Sequence, residues 1–239
     1  MLALDEVAVD YGGVHALSSI SLVVEPGNVL GLIGPNGAGK TTLINATTGL
    51  ATLAGGTITL DGARIDGLPP HRVARAGIAR TYQNIRLFGA LDVRANLAAG
   101  AYTRTQRLDD RAMHALLERA GVAGTDLDAT ASALPYGDQR RLEIARALAA
   151  APRIVMLDEP AAGMNPAETA RLTDTIRAIA ATGIGVLLIE HDMQLVRAAC
   201  DAVVVLNFGE VIARGTPTEI ASDPAVIEAY LGTGAEQVG

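Results

Sequence analysis

A chain of 239 residues that is 49% hydrophobic and 19% charged holds enough apolar material for one sizeable α/β domain or two small ones, and is not disordered in composition. Its net charge of −7 excludes an electrostatic grip on nucleic-acid phosphate as the main activity. One cysteine, Cys200, excludes an internal disulfide framework and points to a reducing compartment; with four scattered histidines, no zinc-type ligand cluster can be drawn.

The opening "MLALDEVAVD" is acidic and has no basic segment ahead of its apolar residues, so it does not read as a signal peptide. No apolar run approaches the roughly 18–20 residues that span a bilayer. The expectation is a soluble cytoplasmic chain able to dock on a membrane protein. Leu2–Val9 and Ser21–Val24 read as strands, and Glu25-Pro26-Gly27 turns into a buried strand, Val29–Ile33. Gly34–Gly39 is a loop, Lys40–Thr48 a helix closed by Gly49, and Gly55–Ile65 a strand interrupted by an Asp61-Gly62 turn.

From about Asn84 to Ala133 the character becomes helical. Met113, Leu116, Leu117 and Ala120 recur at i, i+3, i+4 and i+7, with acids in the first turn and Gly121 as a stop. A second helix runs over Asp138–Pro152. Arg153–Pro160 is a buried strand that ends in two acids. Asn165–Gly183 is a helix with Asn165 as N-cap, Pro166 at its first position and Gly183 at its stop. Gly185–Asp192 is another buried strand, Ala202–Gly215 a strand–turn–strand, and Asp223–Gly232 a short capped helix. Strands alternating with helices predict an α/β fold with a mostly parallel sheet and ligands at the strands' C-terminal ends.

Lys40 is the only lysine among 19 lysines and arginines, and it lies in Gly34-Pro35-Asn36-Gly37-Ala38-Gly39-Lys40-Thr41. That run matches the phosphate-binding loop G-x-x-x-x-G-K-[ST] between a predicted strand and a predicted helix. Glycines let successive backbone N–H groups turn inward around phosphate oxygens, and the helix aims its positive end at the same place. Lysine brings a compact charge on a flexible stem, where arginine would bring a bulky planar fork. Thr41 is placed to give its hydroxyl to Mg²⁺, with Thr42 beside it.

A phosphate loop needs a metal and a group to activate water. Asp158 and Glu159 emerge together from an apolar strand, so Asp158 is expected in the Mg²⁺ shell and Glu159 as the general base. His191 ends the next apolar strand. It reads either as a sensor that hydrogen-bonds the γ-phosphate or as a solvated strand cap. His15, His71 and His114 have no comparable setting.

These pieces in this order resemble the ATP-binding cassette (ABC) ATPases over nearly the whole chain. The resemblance implies a P-loop NTPase with a RecA-like parallel sheet core, an N-terminal antiparallel β subdomain and an inserted helical subdomain. The core would cover 1–83 and 151–232, the helical part about 84–150, and a tail 233–239. It gives Tyr11 in "YGGVHAL" the stacking contact on adenine and Gln83 in "TYQNIRLF" a contact to Mg²⁺. "LPYGDQRRLEIARAL" stands at the LSGGQ signature and "AAGMN" at the loop crossing to a second subunit.

In that family two cassettes pack head to tail, each ATP lying between one subunit's phosphate loop and the other's signature. By resemblance, Tyr136, Gly137, Asp138 and Gln139 would meet the opposing ATP, with Ala162, Gly163 and Asn165 in the crossing loop. Pro135, Tyr136 and Asp138 depart from the signature, and Asn165 replaces the usual acid. "ARTYQNIRLF", "LDEPAAGMNP", "EHDMQLV" and "VLNFGEVIARGTPTEI" resemble most closely the ATPase subunits of bacterial branched-chain amino acid importers. That branch implies ATP and Mg²⁺, a second ATPase chain, two membrane permeases, a substrate-binding protein and the cytoplasmic membrane face. The chain is short for that branch around Tyr102–Arg111, the face expected to meet the permease. Urea, amide or aromatic-acid importers, lipid exporters, soluble cassette ATPases acting on DNA or ribosomes, and small-molecule kinases are the alternative readings.

Overall fold

The computed structural model describes residues 1–105 and 107–232; the expected tail 233–239 lies outside the described residues. The chain opens with β1 (Leu2–Tyr11) and β2 (Val14–Val24), an antiparallel pair closed by Gly12 and Gly13. β3 (Val29–Ile33) leads through the glycine loop into α1 (Lys40–Thr47). β4 (Gly55–Leu60) and β5 (Ala63–Arg64) follow, turned by Asp61 and Gly62, both at positive φ. Next come α2 (Pro70–Ala76), β6 (Ile78–Arg80), α3 (Val93–Gly100), α4 (Asp110–Arg119) and α5 (Tyr136–Ala149). The remainder is β7 (Ile154–Asp158), α6 (Pro166–Ala181), β8 (Gly185–Ile189), α7 (Met193–Ala199), β9 (Ala202–Asn207), β10 (Glu210–Gly215), α8 (Pro217–Ala221) and α9 (Pro224–Gly232).

Among the described residues the strands form two sheets, β2-β1-β4-β5 and β10-β9-β3-β8-β7-β6. The first is antiparallel; in the second, β9, β3, β8, β7 and β6 run parallel and only β10 is reversed. Every residue of β3, β7 and β8 is buried, as a strand covered on both faces requires. Side chains alternate between the faces, so Val29, Val155, Leu157, Val186 and Leu188 enter one core with the helices α3–α7. Leu30, Leu32, Met156, Leu187 and Ile189 enter the other, with α1 and the antiparallel sheet. The fold is the α/β P-loop arrangement that the sequence predicts, with its antiparallel sheet packed on one face.

Four differences have local causes. β2 begins at Val14 rather than Ser21, because pairing with β1 carries it past His15, Ser18 and Ser19, which break the apolar pattern. α2 and α7, seven residues each, are too short for an apolar period to show, although Pro70 and Gly77 bracket the one and Asp192 caps the other. β6 has three residues and ends in Arg80, yet parallel pairing with β7 makes it the sheet's edge. Residues 84–133 are only partly helical. Much of that stretch is loop held by side chains; buried Asn96 accepts from the Phe88 N–H at 3.0 Å and donates to the Phe88 carbonyl at 3.1 Å. α5 starts two residues early, at Tyr136.

Cys200 lies where α7 turns into β9. A Cβ on Gly31 of β3 would come within 2.9 Å of its sulfur, so the thiol fills the space that glycine leaves. Burial pushes the thiol up to about 12, which keeps it protonated at any working pH. We expect Cys200 to resist thiol reagents at pH 8 in the native protein and to react fully in denaturant. Reaction of the native protein at a free-thiol rate would show that this corner opens.

Candidate phosphate-binding site

β3 lies between β9 and β8, and β7 lies beyond β8, so the loop after β3 and the acids after β7 emerge on the same edge of one sheet. At the loop's entry Gly34 has φ 149°, and a Cβ there would sit 2.1 Å from the Leu206 carbonyl oxygen. Gly39, at φ 104°, begins α1, and a Cβ there would meet Leu17 and the Ala16 carbonyl at 2.8 and 2.9 Å. Both positions therefore need glycine for conformation and for space. The Lys40 ammonium does not extend to bulk solvent: it donates to the carbonyls of Gly34 at 2.5 Å and Pro35 at 2.8 Å. Burial lowers its pKa, against the pull of the Glu159 and Asp158 carboxylates, which raise it. Thr41 is exposed and Thr42 half-buried on the first turn of the helix.

A cavity of about 460 Å³ is lined by residues 36–42, Gln83 and Glu159, and also by Val14, His15, Ala16 and Phe208. Pro35 is buried in the loop's base. Tyr11 is half exposed at the end of β1, paired across the hairpin with Val14, and is not among the lining residues.

On the acidic side, the Asp158 carboxylate lies 3.4 Å from the Arg80 guanidinium, which also donates to the Asn45 side chain of α1 at 3.0 Å. Burial raises the Asp158 pKa; Arg80 opposes that and the neighbouring Glu159 adds to it. Glu159 adopts φ 46°, a left-handed backbone that costs a non-glycine residue, fixed by its N–H donating to the Ile189 carbonyl at 3.0 Å. Its carboxylate accepts from the Gln83 side chain at 2.8 Å, and the His191 ring lies 3.9 Å away, itself largely exposed. The structure thus lines one opening with Lys40, Gln83 and Glu159, and His191 stands beside it only through its approach to the Glu159 carboxylate.

The signature segment stays partly exposed, with Tyr136 open to solvent and Asp138 and Gln139 half-buried, yet its side chains bond within the chain. Gly137 is buried, and a Cβ there would meet the Glu168 carboxylate at 2.9 Å. The Gln139 side chain donates to the Leu134 carbonyl at 2.8 Å, and Asp138 pairs with Arg141 at 3.2 Å. Tyr136 donates its hydroxyl to the Ala162 carbonyl at 3.0 Å, and a Cβ on Gly163 would crowd its ring at 3.2 Å. Asn165 accepts from the Glu168 N–H at 3.0 Å and Glu168 answers to the Asn165 N–H at 2.9 Å, so that side chain is committed to capping α6.

Three residues that the sequence did not single out belong to this region. Arg80 tethers Asp158. Glu190, 1% exposed at its side chain, accepts from the N–H of Ala161 at 2.9 Å and of His191 at 3.2 Å, tying the crossing loop to β8. Arg140 donates to the carbonyls of Tyr82 at 2.8 Å and Gln83 at 2.7 Å and to the Tyr136 hydroxyl oxygen at 3.2 Å. Only Glu190 left a signal, an acid following an apolar run.

Comparison with known proteins agrees with this geometry. Residues 17–162 match the family model "ABC transporter", and residues 210–236 match "Branched-chain amino acid ATP-binding cassette transporter". The chain is 44% identical to the high-affinity branched-chain amino acid transport ATP-binding protein BraF of Pseudomonas aeruginosa, over 97% of this chain and 98% of that one. It is 41% identical to LivG of Escherichia coli over the same shares. It is 37% identical to the lipopolysaccharide export ATP-binding protein LptB of that species, over 97% of each. A solved ATP-binding cassette of an ABC transporter in its ADP conformation superposes with a TM-score of 0.87 at 29% identity, covering 97% of this chain and 98% of that one.

Proposed function

Because the chain belongs to the ABC transporter ATP-binding family, we propose that it is the ATP-hydrolysing subunit of a membrane importer that takes up branched-chain amino acids. The observation that carries the ATPase reading is the single opening lined by Lys40, Gln83 and Glu159. The branched-chain specialisation rests on the match of residues 210–236 and the full-length relatives. Membership in the family leaves the kinase reading without support.

In this reading the amides and ammonium of Gly34–Thr42 hold the β- and γ-phosphates. Glu159, oriented by Gln83 and flanked by His191, accepts the proton of the attacking water. The hydroxyl of Thr41, the amide oxygen of Gln83 and the carboxylate of Asp158 are hard oxygen donors of the kind that suit Mg²⁺. Among the described residues no group of three His, Cys, Asp or Glu side chains could hold a metal alone, so this donor set fits an ion shared with phosphate. When bound, Mg²⁺ supplies neutralisation of the phosphate charge. Tyr11 stacks on the adenine, and Tyr136, Gly137, Asp138 and Gln139 with Ala162, Gly163 and Asn165 face a second cassette chain. Since Gln139 and Asn165 already bond within the chain, the backbone of Tyr136–Asp138 is the better candidate for the contact across subunits.

No helix among the described residues is long and apolar enough to cross a membrane. By its likeness to transport ATP-binding proteins, the chain works in this reading as a peripheral subunit on permeases at the cytoplasmic face. Their docking surface is a groove of about 740 Å³ lined by Leu50, His71, Tyr82, Phe88, Tyr102 and Arg146 among others. Phe88 and Tyr102 expose about half of their surface there. Arg80 lies 4.3 Å from the Tyr82 ring and also tethers Asp158, so the groove and the site share a wall.

Uptake of labelled leucine, isoleucine and valine by cells lacking this chain tests the reading. Uptake of these amino acids should fall to background, and be restored by the parent chain but not by Glu159→Gln. Unchanged uptake of all three would reassign the substrate while leaving the ATPase standing.

A further inference from the structure

β9 ends at Asn207 and β10 begins at Glu210, which pair with one another, so only Phe208 and Gly209 make the turn. Their φ values are 45° and 78°, the geometry of a two-residue hairpin turn with both central residues left-handed. The first of those positions calls for Asn, Asp or Gly, and a bulky aromatic there is a departure from what the backbone favours. The ring is also 80% exposed, the most exposed large hydrophobic side chain among the described residues. Neither folding nor solubility accounts for that choice.

The turn is held firmly. The Gly209 N–H donates to the Ala38 carbonyl at 3.0 Å, and the Gly209 carbonyl accepts from the Ser18 N–H at 2.8 Å. A Cβ on Gly209 would lie 2.7 Å from the Ala16 carbonyl oxygen, so the turn cannot drift from the phosphate loop without losing both bonds. Phe208 therefore stands at a fixed place on the cavity that Lys40 and Glu159 also line, on the side of Val14, His15 and Ala16. A ligand whose phosphates lie on residues 36–42 presents its other end, a flat heterocycle, to that side. We propose that Phe208 is a base-binding residue of the nucleotide site, its ring forming an apolar wall against the nucleobase in addition to the contact expected of Tyr11. The proposal rests on the nucleotide reading above. Because a ring face supplies area rather than edge recognition, the contact serves ATP and GTP alike and does nothing for a bare triphosphate.

The test is Phe208→Asn, which installs the residue the turn prefers while removing the ring. ATP and inorganic tripolyphosphate are titrated against the isolated parent and variant chains, with a thermal melt of each. The expected result is an ATP Kd about five-fold or more higher, unchanged tripolyphosphate binding, a midpoint no lower than the parent's, and affinity kept by Phe208→Tyr. Equal ATP affinity in the Asn variant overturns the proposal, and if self-association is lost instead, the ring belongs to a contact between copies. An equal loss for both ligands also overturns it, since the effect then runs through the phosphate loop. A parent chain that binds neither ligand fails the nucleotide reading itself.

Discussion

Glu159→Gln should bind ATP as the parent does and release phosphate about 100-fold more slowly or worse, the lower end of what a positioned general base contributes. The substitution is nearly isosteric. Its amide oxygen can still accept from Gln83, which now lies 2.8 Å from the carboxylate, and the side chain's β-carbon is unchanged at a backbone fixed by the Ile189 carbonyl. What disappears is the basic oxygen that takes the water's proton. Binding without turnover should also leave ATP-closed pairs standing, visible as an ATP-dependent dimer on sizing chromatography. A variant that keeps more than a tenth of the parent rate would move the base elsewhere, with His191, 3.9 Å away, the first residue to replace.

The phosphate loop could be read from the sequence because everything it requires is local: two glycines whose φ and crowding admit no side chain, a lysine and a helix start, all within eight residues. The adjacent acids were legible because a buried apolar strand announces where it ends. The rest of the site is built from distant pairings that leave no periodic trace. Arg80 reaches Asp158 across 78 positions, and Tyr136 meets Ala162 across 26. Read along the chain, Arg80 and Tyr136 look like ordinary solvent-facing residues until the sheet order brings β6 beside β7. Phe208 was legible only as part of a turn. Its meaning comes from the mismatch between the residue and the backbone it occupies, which needs the φ value. The signature helix adds what resemblance did not supply: the Gln139 side chain is held by the Leu134 carbonyl, and Gly137 lies so close to the Glu168 carboxylate that a Cβ would not fit.

Lys40→Ala should abolish useful ATP binding, and Lys40→Arg should not restore it. The ammonium now spans the Gly34 and Pro35 carbonyls at 2.5 and 2.8 Å in a half-buried position, so alanine leaves both acceptors without their donor and removes the charge that meets phosphate. Two charge-assisted hydrogen bonds from the ammonium to phosphate oxygens, at about 1.5 kcal/mol each, amount to about 3 kcal/mol, or a Kd about 100-fold higher. Arginine keeps the charge but not the shape. Its guanidinium is planar and donates as a fork, whereas the space at the loop's base admits a compact group reached by a flexible stem. The buried walls formed by Ile33, Gly34 and Ala38 cannot widen, because the loop is pinned through the Ala38 carbonyl to Gly209. Arginine should therefore remain about ten-fold or more weaker than lysine in ATP titration, a gap of about 1.4 kcal/mol. If it binds as tightly, charge alone suffices at this position, and the chain's single lysine would stand there without a geometric reason.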